Sequence, residues 1–451
     1  MGDLTFPAGF RWGTATAGHQ VEGDNVASNW WAWEQLGRVN DGTTSGRAVD
    51  YWNRYRSDHD LMVELGHDMF RLGVEWARIE PAKGRIDEAA LAHYVDILTD
   101  LRAHGIAVCL TLNHWVVPAW FMSVGGWESD RAIDFWRDFL DVVVPALAPH
   151  VDLWITLNEP MVPVIAGHLA GYHPPQRRNP IAAAAVFRAL LRAHATAYHR
   201  IHELVAAAPD GSPTMVGTAG AVQYVEPFHR GGAQAAVERK VGRIVRQVSY
   251  QAWDESISTG RVAWPFGHPF DRNEIPGLRG SLDFAGVNYY TRLSVRLPPG
   301  SLSNVMAGDF DAPEGVEMTE MGWQVHPPGF RHVLVENHER FGVPIYITEN
   351  GCADAGDELR RRYLLSHLAQ VHRAIGDGAD VRGYLHWSFT DNFEWREGFE
   401  KRFGLVRVDH DDPDLTRRPR DSAYLLRDVI RANGITDEIV ERWTPGSSPL
   451  A

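Results

Sequence analysis

Short apolar runs alternate along the chain with longer stretches in which apolar residues recur every three or four positions. Eight runs stand out, at residues 11–14, 69–73, 107–112, 153–157, 215–219, 284–287, 344–348 and 382–386. Runs of this length with little polar alternation read as strands buried on both faces, the pattern of a parallel sheet. Helical patterns lie between them, such as residues 181–204, "IAAAAVFRALLRAHATAYHRIHEL", with Pro180 placed to open the helix. Strand and helix alternating in this way predict an α/β fold, a single (β/α)8 TIM barrel over residues 1–451. No internal repeat, low-complexity block or composition break points to a second domain.

Polar motifs follow the strands rather than precede them: "TAGHQVEG" after the first, "NHW" after the third, "NEP" after the fourth, "NYY" after the sixth, "ENG" after the seventh and "WSFTDNFEW" after the eighth. In such a barrel the C-terminal strand ends converge on one face, so residues far apart in sequence meet in one pocket. The Pro-, Gly- and acid-rich segment 296–328 is expected to form a long rim or lid over it.

Composition narrows the partners. A net charge of −14 and a pI of about 5.8 argue against nucleic acid, which demands clustered Lys and Arg. "MGDLTFPAGFRWGT" lacks the basic start and apolar stretch of an export signal, and no apolar run is long enough to span a bilayer. A soluble cytoplasmic protein without a membrane partner is the expectation. Cys109 and Cys352 sit in unrelated contexts and are expected as separate thiols, in keeping with a reducing compartment. Nothing in the pattern reports an oligomeric state. Seventeen Trp residues mostly serve a core, but flat aromatic faces also stack on the C–H faces of sugar rings.

Two glutamates are oddly placed for buried strands: Glu159 at the end of "LWITLNEP" and Glu349 in "VPIYITENG". Singly, each is an ordinary loop or cap residue. Together, at two strand ends of an aromatic-rich barrel and each beside an Asn, they match what glycosidic bond cleavage requires. One carboxyl protonates the leaving oxygen and the other meets the charge developing at the anomeric carbon. A gap of about 5–5.5 Å between such a pair implies retention of configuration, and about 6.5–9.5 Å inversion; a sequence does not measure that gap.

Over nearly its whole length, from "FPAGFRWGTATAGHQVEG" through "TLNEP", "GVNYY" and "YITENG" to "WSFTDNFEWREGFEKRFGLVRVD", the chain resembles the family 1 glycoside hydrolases, the β-glucosidases and β-glycosidases. The resemblance implies Glu159 as acid/base and Glu349 as nucleophile, with Arg71 and Tyr290 holding Glu349 ionised and Asn288 supporting it. It implies that Gln20, His114, Asn158, Glu394 and Trp395 grip the sugar hydroxyls, Asn158 at the 2-hydroxyl. Trp387 would stack under the ring, with Trp115 and Phe403 completing the wall. The substrate implied is a small β-glycoside or oligosaccharide, with no cofactor and no metal. A Glu394 carboxylate beside the 4- and 6-hydroxyls would repel a 6-phosphate, which points to non-phosphorylated sugars. Gluco and galacto configurations are not separated by these residues.

Departures from the family pattern are Glu75 where Ser is common, Asn113 where an aromatic is usual and Val116 where Asp is usual. Glu75 is expected in a structural ion pair near the barrel mouth, and Trp323 as a candidate aglycone platform. Three rival readings stand beside hydrolysis. A non-catalytic sugar-binding protein would be expected to have lost Glu159 or Glu349. A metal-dependent hydrolase needs clustered ligands, and the 21 His residues are scattered. A transglycosylase would use the same covalent intermediate with an alcohol as acceptor.

Overall fold

The computed structural model describes residues 3–264, 273–296 and 312–446. All eight expected strands are present: β1 (Arg11–Ala15), β2 (Met69–Gly73), β3 (Ala107–Thr111), β4 (Leu153–Asn158), β5 (Met215–Ala221), β6 (Phe284–Asn288), β7 (Ile345–Asn350) and β8 (Val381–Trp387). They pair in parallel, in sequence order, and β8 closes onto β1. Helices cross over between successive strands, among them Tyr51–Glu64, Glu88–Ala103, Ala132–Leu147, Pro180–Leu204, Pro327–Phe341 and Glu358–Gly376. The expected α/β barrel is therefore the observed fold.

Local chemistry accounts for the element ends. Pro180 occupies the first helical turn as expected, and the cap itself is Asn179, whose side chain accepts from the Ile181 and Ala182 amides. Asp87 caps Glu88–Ala103 in the same way through the Ala90 amide at 3.0 Å.

Side-chain alternation on the strands separates two cores. Trp12, Phe70, Val108, Trp154 and Ile347 point outward into the layer between sheet and helices. Ala15, Met69, Cys109, Ile155, Phe284, Tyr346 and Leu385 fill the barrel lumen, and that inner core continues upward into Trp387, Trp395 and Phe403 at the C-terminal mouth. The site is thus built on the upper layer of a packed lumen, where side chains are held on all sides.

Several expectations change in detail. Of the rim expected at 296–328, residues 296 and 312–328 are described. A short strand, Arg292–Val295, pairs with Tyr224–Pro227 outside the barrel just before it, and the next helix already begins at Pro327. Residues 297–311 lie outside the described residues. Both cysteines are buried and free, with burial pushing the Cys109 thiol up to about 12. No helix among the described residues is long and apolar enough to cross a membrane.

Candidate active site

At the barrel mouth lies a cavity of about 450 Å³. Of the residues expected at the site, Arg71, Asn158 and Gln20 stand buried behind its wall and the others line it. Both glutamates reach it through a break in their strands. On β4, Leu153 and Ile155 point into the lumen and Trp154 outward, so strict alternation would send Asn158 outward as well. The pairing with β5 slips between Ile155 and Asn158, which turns Asn158 inward. Likewise β7 sends Tyr346 inward and Ile345 and Ile347 outward, and a slip against β6 between Ile347 and Glu349 turns Glu349 inward. Glu159, Trp115 and Trp395 adopt left-handed backbone at φ of 43°, 68° and 53°. Non-glycine residues hold that conformation only where surrounding structure over-determines it, and such residues cluster at functional sites.

One hydrogen-bonded network joins the two carboxyls. Arg71 Nη1 donates to Glu349 Oε1 at 2.6 Å and its Nη2 to Asn158 Oδ1 at 2.6 Å, while its Nε is held by Thr111 Oγ1 at 3.0 Å. The Tyr290 hydroxyl donates to Glu349 Oε2 at 2.6 Å. Asn288, expected beside the nucleophile, stands in register with Glu349 but donates from Nδ2 to Glu159 Oε1 at 2.9 Å and to Asn158 Oδ1 at 3.1 Å. Its own orientation is set by Thr348 Oγ1, which donates to Asn288 Oδ1 at 2.6 Å.

These partners divide the electrostatics unequally. Burial pushes the Glu159 carboxyl up to about 8, and the Glu349 charge adds to this; only the Asn288 hydrogen bond and the more distant Arg71 oppose it. Burial lifts Glu349 too, but the Arg71 guanidinium and the Tyr290 hydroxyl act directly on its two oxygens and favour its charged form. A proton shared by the pair therefore resides on Glu159.

The polar groups around the cavity are incompletely paired. Asn158 Oδ1 accepts twice, so its Nδ2 is the donor to His114 Nε2 at 2.8 Å, and the His114 proton must sit on Nδ1. Burial, then the Arg71 charge, keeps that ring neutral. His114 Nδ1, Gln20 Oε1 and Trp115 Nε1 are buried without a partner. Unmet buried donors and acceptors are costly, and here they mark where a polar ligand completes the structure. Gln20 Nε2 donates to Phe393 O at 2.9 Å and to Glu394 Oε2 at 3.3 Å. Burial, with the Glu349 charge next, pushes Glu394 up to about 8.

Aromatic rings frame this polar floor. His114, Trp115, Trp387 and Trp395 form one cluster, with the Trp115 and Trp395 centroids 4.6 Å apart and the His114 ring stacked on Trp395 at 5.6 Å. Tyr290, Trp323 and Phe403 form a second, so Trp323 does stand on the cavity wall. Glu75 makes a different contact from the one expected. It accepts from the His19 amide and from Asn25 Nδ2, both at 2.8 Å, while Arg78 pairs with Glu22 at 3.0 Å. Glu75 thereby anchors the short helix Gly18–Val21 that carries Gln20. Asn113 and Val116 close the β3 loop on each other, Asn113 Nδ2 donating to Val116 O at 2.8 Å.

Sequence reasoning passed over several supports of the site. Asn350 donates to Tyr289 O at 2.6 Å and accepts from the Tyr384 hydroxyl at 2.9 Å, which braces the strand end carrying Glu349. Gly351 is required because a Cβ there would lie 1.9 Å from the Trp387 carbonyl oxygen. The asparagine and glycine of "TENG" were visible as a motif; the residues they press against come from other strands.

A parallel barrel with two unequally tuned carboxyls among aromatic rings at its C-terminal mouth is the architecture of a glycoside hydrolase. The chain belongs to glycosyl hydrolase family 1, whose family model matches residues 3–435. Beta-glucosidase A of Thermotoga maritima is 34% identical, with 96% of this chain and 99% of that protein covered. A beta-galactosidase of Sulfolobus acidocaldarius is 31% identical, with 97% of each covered. Among solved structures, a beta-glycosidase from Pyrococcus horikoshii superposes with a TM-score of 0.86 at 37% identity, covering 98% of both chains. The protein is a β-glycosidase.

Proposed function

We propose that the chain acts as one catalytic unit, a retaining β-glycosidase that cleaves non-phosphorylated β-glucosides by double displacement and accommodates β-galactosides and β-fucosides. The inequality of the two carboxyls supports the acid and carboxylate roles, and membership of family 1, the resemblance that implies Glu349 as nucleophile, supports retention. Glu349, held ionised by Arg71 and Tyr290, attacks the anomeric carbon. Glu159, protonated near neutral pH, gives its proton to the departing oxygen. Once Glu349 is esterified its charge is gone, the second cause of the raised Glu159 value disappears, and Glu159 becomes acidic enough to take a proton from the incoming water. The water's oxygen then bonds to the anomeric carbon and Glu349 leaves as carboxylate, so two inversions restore the β configuration.

The unpaired atoms Gln20 Oε1 and His114 Nδ1 are of complementary kinds, one acceptor and one donor, as hydroxyl groups require. Asn158 retains one Nδ2 proton for the 2-hydroxyl after serving His114. A protonated Glu394 can both donate and accept, which suits the 4- and 6-hydroxyls in either configuration. A 6-phosphate would bring its negative charge against the Glu394 carboxyl, in a buried position that already disfavours charge. The test is a panel of 4-nitrophenyl β-glycosides with the first-formed anomer followed by proton NMR. Release of the β-anomer supports the mechanism; direct release of the α-anomer would refute it.

A further inference from the structure

The 21 His residues are scattered along the sequence, yet the fold brings two of them together on the helical shell. Helices Tyr51–Glu64 and Glu88–Ala103 cross over from β1 to β2 and from β2 to β3, and they pack against each other outside the barrel. Both run back from the C-terminal face, so their C-terminal halves lie toward the end of the barrel opposite the active site. His59 on the first helix, Asp100 on the second and His104 at the C-cap of the second each place one donor atom within 4.8 Å of the other two. Asp100 Oδ2 is the central atom, 2.7 Å from His59 Nδ1 and 3.5 Å from His104 Nδ1. A tetrahedral zinc ion with bonds of about 2.0–2.1 Å holds its ligand atoms about 3.3 Å apart. Small side-chain movements reach that spacing.

We propose that His59, Asp100 and His104 form a structural site for a divalent metal ion, best suited to Zn²⁺, that clamps the two crossover helices together. Two imidazoles and one carboxylate select zinc over magnesium or calcium, which prefer oxygen ligands throughout. The outer partners distinguish this group from three neighbouring side chains. A ligating imidazole gives its other ring N–H to an acceptor, which fixes the ring. His59 Nε2 lies 2.9 Å from the Tyr51 hydroxyl and His104 Nε2 lies 3.0 Å from Asp60 Oδ1, so both acceptors are already in place. Without a metal, His59 Nδ1 donates to Asp100 Oδ2 and His104 Nδ1 donates to the Asp100 carbonyl oxygen at 2.7 Å. When the ion enters, the His59 proton moves to Nε2 and the Tyr51 oxygen accepts it; His104 keeps its proton on Nε2 toward Asp60 and gives the Nδ1 proton to solvent. Both Nδ1 lone pairs then face the ion. Arg56 approaches only the other oxygen of Asp100, Oδ1, at 4.0 Å, which leaves Oδ2 for the metal. The C-terminal carbonyls of helix Glu88–Ala103 add partial negative charge at the same place. The His59 side chain is fully buried, whereas those of Asp100 and His104 are 20% and 26% exposed, so the ion enters from the His104 side and water completes its shell there.

The experiment uses the untagged full chain, stripped with a chelator and dialysed, with Zn²⁺ alone as the ligand and Co²⁺ as an optical probe. Calorimetric titration at pH 7.5 should give one Zn²⁺ per chain, and Co²⁺ should develop the visible absorption of a tetrahedral site. His104→Ala removes a ligand and should weaken Zn²⁺ binding by at least about 100-fold, and Asp60→Ala, which leaves all three ligands and removes an outer acceptor, by about 10- to 100-fold. Both replaced side chains reach the surface, and near-ultraviolet circular dichroism checks that the variants stay folded. Added Zn²⁺ should raise the thermal midpoint of the wild type and leave that of His104→Ala unmoved. Absence of one-to-one binding by the wild type would overturn the proposal. So would binding that is equally tight in His104→Ala, because the ion would then sit on other histidines.

Discussion

Replacing Tyr290 with Phe removes one oxygen and little else, because the ring keeps its packing against Trp323 and Phe403. Burial and the neighbouring Glu349 charge raise the Tyr290 phenol well above its usual value, so it is a hydrogen-bond donor throughout the working pH range. Its bond to Glu349 Oε2, 2.6 Å long, serves the ionised carboxylate. A hydrogen bond to a charged group contributes about 1.5–3 kcal/mol, and about 1.4 kcal/mol corresponds to one pKa unit. The bond lowers the Glu349 value, so its loss raises it. The acid limb of kcat/KM should therefore move up by about one to two units. The assay is kcat/KM for 4-nitrophenyl β-glucoside from pH 4 to 9, with near-ultraviolet circular dichroism to confirm the fold. Because the two carboxyls titrate together, the limb reports the lower apparent value of the pair. An acid limb that stays in place with an unchanged plateau would refute the assignment of Glu349 as the group that must be ionised.

Glu349→Ala should abolish hydrolysis of aryl β-glucosides, and added azide should then yield the α-glycosyl azide; normal turnover would remove Glu349 from the mechanism. Glu159→Ala should cost about 10²–10⁴ in kcat/KM on alkyl glucosides yet spare 2,4-dinitrophenyl glucoside, whose leaving group needs no proton; equal losses on both would count against an acid role. In the wild type the basic limb should fall near pH 8, as Glu159 gives up the proton it must donate. That limb should vanish with the dinitrophenyl substrate and persist in Glu394→Gln; its loss in the latter would move the assignment to Glu394. Gly351→Ala should destabilise the fold by about 1–3 kcal/mol through forced overlap, read as a lower denaturation midpoint, because the added Cβ meets a backbone oxygen.

The lateral packing of the barrel was legible in the chain because it depends on local period. A strand buried on both faces needs an apolar run, and a crossover helix needs an apolar stripe, so each of the eight units declared itself. The network residues were legible as motifs: Arg71 in "FRLGVEW" lies within the second strand and Tyr290 in "NYY" just after the sixth, on the way to the face where a barrel gathers its chemistry. Glu75 was less so. Its sequence context shows a carboxylate near the mouth, but the partner it finds is a backbone amide in a helix 56 residues earlier, and no local pattern encodes that contact.

Sequence alone determined which residues are available and which strand end bears each. What only the tertiary structure decided is where they point. A period of two, continued along β4 and β7, would carry Asn158 and Glu349 to the helix side of the sheet. The register slips against β5 and β6 reverse that, and they arise from pairing between strands that are 60 or so residues apart in the chain. The unequal tuning of the carboxyls has the same origin. Burial acts on both, and the difference between them comes from the direct bonds that Arg71 and Tyr290 make to Glu349 and not to Glu159. Contacts of that kind exist only once the barrel has closed.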